Sequence, residues 1–162
     1  MAAGARKQGG YWRKSENERH IISKTWQSTE GNRAGIGRGE WKMKGLLIVG
    51  HGSRRKETEQ ILESVVEMAR KKLPEIPTEI AYMEFSKRDI PAGLNALIAQ
   101  GVDDIAVVPY FLFDGVHIRE DIPQMIGEYK SAHPEIKFKM GSPLGADRRL
   151  AAVLADRISE CL

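Results

Sequence analysis

Lys44 to Pro74 reads KGLLIVGHGSRRKETEQILESVVEMARKKLP, and two periodicities meet inside it. Gly45 to Gly50 is a short, unbroken apolar run of the kind that forms a strand buried on both faces. A polar turn follows. Then Ile61, Leu62, Val65, Val66, Ala69 and Leu73 recur at helical spacing, with Arg70, Lys71 and Lys72 in the last turn and Pro74 as the stop. A buried strand that delivers the chain into an amphipathic helix is half of a βαβ unit.

Working outward toward the C-terminus, the same unit recurs. Thr78 to Glu84 predicts a second strand, followed by a helix that Gly101 ends; Ile105 to Phe111 predicts a third, followed by a helix from Asp121; and Ile136 to Met140 predicts a fourth, followed by a helix from Asp147. Asp89, Asp121 and Asp147 are placed to cap these helices, and Pro91 and Pro123 fall in first turns, where a missing N–H costs nothing. Parallel strands require crossovers, and right-handed crossovers put helices on both faces. The expected fold class is therefore α/β, a three-layer αβα sandwich around a four-stranded parallel sheet with flavodoxin-like topology.

Working outward toward the N-terminus, the pattern stops at Met43. Residues 1–42 hold nine Lys and Arg against four Glu, all three tryptophans, seven of the sixteen glycines and three branched aliphatics. That composition cannot offset the entropy of ordering, so a disordered basic extension is expected, and a start codon assigned too far upstream of Met43 is the simplest origin. The extension lacks the continuous apolar core of a signal peptide. Of the 25 basic and 22 acidic residues, 16 and 18 remain for residues 43–162, so the basic balance of the whole chain belongs to the extension and nucleic acid is not an expected partner. No apolar run approaches the roughly 18 residues of a membrane span. The single cysteine, Cys161, allows neither an internal disulfide nor a cysteine zinc site, which fits a reducing cytoplasm.

In open parallel sheets, ligands bind outside the carboxyl ends of the strands. The predicted strand ends carry Gly50-His51-Gly52-Ser53-Arg54, Met83-Glu84-Phe85-Ser86 and Phe111 to His117. Two of the four histidines and one glutamate are thus sent to one edge; His20 falls in the extension and His133 on a helix-to-strand loop. A histidine after a strand is commonly just a hydrogen-bonded loop residue, and a strand-end glutamate is commonly just solvated. Glycines beside His51, and Gly115 ahead of His117, argue for more, because they let backbone approach and leave the rings uncovered. Two neutral imidazoles and a carboxylate suit a divalent first-row metal with open positions, and imidazole also accepts protons near neutral pH. Spacing names neither the metal nor the reaction. There is no GxxxxGK[ST] loop, so no nucleotide is expected. A histidine phosphatase would need arginine directly before its strand-end histidine, where this chain has Gly50.

The strings VGHGSR (49–54), MEF (83–85), VVPYFLFDGVHIREDIP (107–123) and SPLGADRRLAAVLADRI (142–158) resemble the small sirohydrochlorin chelatases, class II tetrapyrrole chelatases of cobalamin and siroheme synthesis. The resemblance covers residues 43–162 and none of the extension, and it implies a chelatase-like fold. It also implies insertion of a divalent metal, as substrate, into sirohydrochlorin. His51 and His117 match the family's paired metal-binding and catalytic histidines, and Glu84 the acidic position of the metal site. Small members pair as homodimers, each chain resembling half of a two-lobed chelatase. Sirohydrochlorin is a polycarboxylate, and local positive charge is available from Arg54, Arg55, Lys87, Arg88 and Arg119, of which Arg54 and Arg119 are the expected contacts, with Ser53 in the HGS turn. Phe85, Phe111 and Phe113 offer apolar surface to the macrocycle. The FLFDGVHIREDIP and SPLGADRRLA segments resemble cobalamin-associated members most, which makes cobalt the expected metal. Iron for siroheme, nickel, and a non-catalytic metal carrier are the alternatives.

Overall fold

A computed structural model describes residues 43–162; the expectations for residues 1–42 lie outside the described residues. Four strands, β1 (Lys44–Gly50), β2 (Thr78–Tyr82), β3 (Asp104–Pro109) and β4 (Lys137–Met140), form a parallel sheet in the order β2-β1-β3-β4. They alternate with four α-helices: α1 (Lys56–Arg70), α2 (Ile90–Ala99), α3 (Ile122–Ala132) and α4 (Arg148–Ser159). This is the α/β fold with the strand order expected.

The sheet's two faces are unequally covered. Leu47 and Val49 of β1, Ala81 of β2, and Ile105 and Val107 of β3 join Ile90, Leu94 and Leu97 of α2 and Ile122 and Ile126 of α3 in one buried cluster. Burying such side chains contributes roughly 1.5–3 kcal/mol each, which makes this face the main source of stability. On the opposite face Leu62 and Val66 of α1 pack with Tyr82, against half-buried Ile48, Ile80 and Tyr110. Beyond α1, that face carries Lys137 and Lys139 of β4, both exposed. Helix α4 buries none of its residues, and Val153, Leu154 and Ile158 lie exposed along it.

Two of the three expected caps are present. Asp89 accepts the Ala92 N–H at 2.8 Å, and Asp147 accepts the Arg149 N–H at 2.8 Å. Asp121 is a correction. Its backbone is already helical (φ −67°, ψ −51°) and its side chain makes no capping bond, because the chain enters helix earlier, through a single π-helical turn over His117–Asp121. The Ile122 N–H closes that turn on the His117 carbonyl. Pro123 offers no N–H to the carbonyl four residues back, and its ring needs room there, conditions under which a wide turn replaces a tight one.

Strand ends also differ from expectation. β2 stops at Tyr82 rather than Glu84; Phe85 takes a left-handed conformation (φ 59°), and the chain turns back so that the Arg88 carbonyl accepts the Tyr82 N–H at 2.8 Å on the free edge. β3 stops at Pro109 rather than Phe111. Its neighbour β1 ends at Gly50, leaving one further backbone bond, Tyr110 N–H to the Val49 carbonyl at 2.7 Å.

Candidate metal centre at the carboxyl edge of the sheet

The register carries His51, Glu84 and the segment after β3 to the same edge. Gly50 pairs with Tyr82 and Val49 with Pro109, so the three chains leave the sheet side by side. Backbone bonds then extend the ladder into the loops: the Met83 N–H donates to the Gly50 carbonyl and the Glu84 N–H to the His51 carbonyl, both at 3.0 Å. Gly52 makes this approach possible. Its φ is +93°, and a Cβ there would sit 2.0 Å from the Glu84 carbonyl oxygen, so only glycine fits. Gly115 differs from expectation: a Cβ would meet nothing within 4 Å and its φ is not positive. Its carbonyl instead starts the helix, accepting the Ile118 and Arg119 N–H groups at 3.1 Å each.

The result is a three-residue cluster. One ligand atom from each of His51, Glu84 and His117 lies within 4.8 Å of the others. The imidazoles meet edge to face, ring centroids 5.0 Å apart, and Phe111 flanks both at 6.2 and 6.5 Å. His51 and Glu84 are exposed and His117 half-buried, so the donor set faces outward. Two imidazole nitrogens and a carboxylate oxygen match a divalent first-row metal and leave coordination positions for an incoming ligand. His117 Nδ1 lies 2.6 Å from Asp121 Oδ2, a contact not anticipated from the sequence, where the i,i+4 spacing was the available signal.

The residues expected to meet substrate lie on the segments that follow β1, β2 and β3. The Arg54 guanidinium lies over the Phe85 ring, 5.1 Å from its centroid, and Phe85 is itself exposed. Phe113 is 78% exposed and, with Leu112 and Val116, makes an apolar rim on the segment after β3. Arg119 is exposed and pairs with Asp114 at 3.2 Å. Ser53 Oγ accepts the Arg55 N–H at 3.1 Å, which folds the turn. Phe111 packs against the core, supporting the histidines from behind. Arg88 is drawn away: it reaches Glu59 at 3.1 Å, Glu63, and the Tyr82 ring at 5.3 Å. The Glu63 carboxylate beside it raises the Arg88 pKa, and burial pushes the Tyr82 phenol up.

The CbiX family model matches residues 45–161. This chain belongs to the CbiX family. Among curated CbiX relatives, the chloroplastic sirohydrochlorin ferrochelatase of Arabidopsis thaliana is 36% identical over 118 residues, covering 73% of this chain and 52% of the relative. The sirohydrochlorin cobaltochelatase of Methanothermobacter thermautotrophicus is 34% identical over 133 residues, covering 73% of this chain and 92% of the relative. Among solved structures, the sirohydrochlorin chelatase SirB from Bacillus subtilis subspecies spizizenii in complex with cobalt aligns with a TM-score of 0.68 at 32% identity, covering 72% of this chain and 50% of that one. The chain thus spans about half the length of the plant relative and of SirB, and most of the archaeal one. No helix among the described residues is long and apolar enough to cross a membrane.

Proposed function

We propose that this chain inserts a divalent metal into sirohydrochlorin. The observation that carries this reading is the convergence of His51, Glu84 and His117 on the carboxyl edge of a CbiX-family sheet. The metal, a substrate, binds to the two imidazoles with Glu84 beside them. The macrocycle lies over the edge with its apolar face on Phe85 and Phe113 and its carboxylates toward Arg54 and Arg119. As the metal's bonds to the pyrrole nitrogens form, two pyrrole N–H protons leave, and one or both of His51 and His117, with Glu84, accept them. No redox change or nucleotide enters this balance. Relatives named for cobalt and for iron stand at similar identity, 34% and 36%. Cobalt remains the first choice, on the FLFDGVHIREDIP and SPLGADRRLA segments, and iron the second.

The partner we assign to the protein is a second copy. Helix α4 leaves Val153, Leu154 and Ile158 exposed and buries nothing, while the region of this chain that aligns with SirB accounts for only 50% of that single polypeptide. Anaerobic incubation with sirohydrochlorin and Co2+, Fe2+ or Ni2+, followed by the absorbance change on metallation, tests the activity and ranks the metals. A rate no greater than that without protein for all three would reject it. Sedimentation across a concentration series tests the pairing, and a monomer at tens of micromolar would reject that.

A further inference from the structure

Asp121 is not a member of the ligand cluster, yet its carboxylate is engaged with one of the ligands. The 2.6 Å separation from His117 Nδ1 is short, as expected when a carboxylate accepts from an imidazole N–H. The pair is i,i+4 across the π-helical turn, and the Asp121 side chain makes no bond to a helix-end N–H. A capping role is therefore absent.

We propose that Asp121 is a positioning residue that holds His117 as the Nδ1–H tautomer and aims Nε2 at the metal. The proposal rests on the reading of His51, Glu84 and His117 as the metal-delivery site. With Nδ1 donating to Asp121, the lone pair left for a metal is on Nε2. The need for such a bond is visible in the packing. The His117 side chain is 33% exposed and its aromatic neighbours are His51, at 5.0 Å, and Phe111, at 6.5 Å, neither of which distinguishes one ring nitrogen from the other as the Asp121 carboxylate does. His51 is held differently: among the described residues its ring makes no hydrogen bond, and its backbone carbonyl accepts the Glu84 N–H. The site thus pairs one imidazole fixed through its side chain with one fixed through its main chain.

Cobalt titration of the full chain, followed by the visible d–d absorption of Co2+, tests this with five proteins: wild type, Asp121→Ala, Asp121→Asn, His117→Ala and the double variant with Asp121→Ala in the His117→Ala background. Removing a carboxylate behind a ligating histidine typically costs about 10- to 100-fold in metal affinity, the loss expected for Asp121→Ala. Asp121→Asn keeps an oxygen that accepts from Nδ1–H and should recover most of it. In the His117→Ala background the aspartate change should cost nothing further, because its effect passes through that ring. Wild-type affinity in Asp121→Ala, or an equal loss in both backgrounds, would overturn the positioning role. If His117→Ala itself binds cobalt like wild type, the metal-site reading fails and Asp121 with it. Should Asp121→Ala not fold, 15N NMR of the wild-type imidazoles decides: the Nδ1–H tautomer at His117 is expected, and the Nε2–H tautomer would refute it.

Discussion

The segments that follow β1 and β3 each deliver a histidine to the same point, and they do so by opposite means. After β1, main chain does the work: Gly52 at φ +93° lets the loop lie against the Glu84 carbonyl, and the Glu84 N–H binds the His51 carbonyl. After β3, main chain is left open. A Cβ at Gly115 would meet nothing, Phe113 stands in solvent, and His117 is set by a side-chain bond within a π-helical turn. A loop locked through its backbone tolerates few changes of residue type, whereas a side chain locked through its partner depends on one carboxylate. Under the proposed function, the rigid loop is the fixed reference for ligand placement and the open segment is the apolar surface for the macrocycle.

The largest effect that tests this contrast is loss of either ring. His51→Ala and His117→Ala should each lower metal insertion by about 100-fold or more, the scale of a lost ligand or proton acceptor, with far-UV circular dichroism unchanged. Either variant keeping most of the rate would remove that histidine from the mechanism. Next come the two glycines. Gly52→Ala forces a Cβ against the Glu84 carbonyl and should cost on the order of 10- to 100-fold, since small displacements of reacting groups carry such losses. Gly115→Ala, with open space around it, should stay within about twofold and gain a few tenths of a kcal/mol in stability. Equal losses in the two would erase the distinction between a backbone-locked loop and an open one.

Smaller effects are expected at the surrounding charges. Arg54→Ala and Arg119→Ala should weaken sirohydrochlorin binding about 3- to 10-fold at low salt, with the loss shrinking as ionic strength rises and the field is screened over about 8–10 Å. An unchanged affinity at low salt would return both to ordinary solvated surface. Smallest is Arg88→Ala, which should leave substrate affinity alone and cost up to about 1 kcal/mol of stability, because its partners Glu59 and Glu63 are on α1 and the pairs are partly exposed. A drop in substrate affinity without a change in denaturation midpoint would place Arg88 at the site instead.

Much of this architecture was legible in the alternation of apolar runs and helical stripes, because every strand is followed by a helix with its own stop or start signal. Asp89 and Asp147 cap as their spacing foretold. Asp121 misled because an aspartate two residues before proline looks the same in sequence whether it caps a helix or already lies inside one. The π-helical turn that decides between them, directly ahead of Pro123, leaves no periodic trace. Strand ends were overrun at Glu84 and Phe111 for a related reason. Residue type does not mark where regular pairing gives way to loop: after β2 that is set by the left-handed turn at Phe85, and after β3 by where the neighbouring β1 turns away, ahead of Gly52. Arg88 shows the limit for charges: sequence places it after β2 near the functional edge, whereas its bonds to α1 are set by tertiary packing.

Helix α4 has a consequence for the order in which the molecule loosens. Twelve residues are about the length at which an isolated helix is marginal in water, and the Asp147 cap adds only about 1 kcal/mol. With nothing buried beneath it, α4 draws little protection from the core, so in a lone chain its amide protons should exchange with solvent orders of magnitude faster than those of β1 and β3. Concentrating the protein should slow exchange in α4 selectively, turning the last helix into a built-in reporter of whether its apolar stripe is covered.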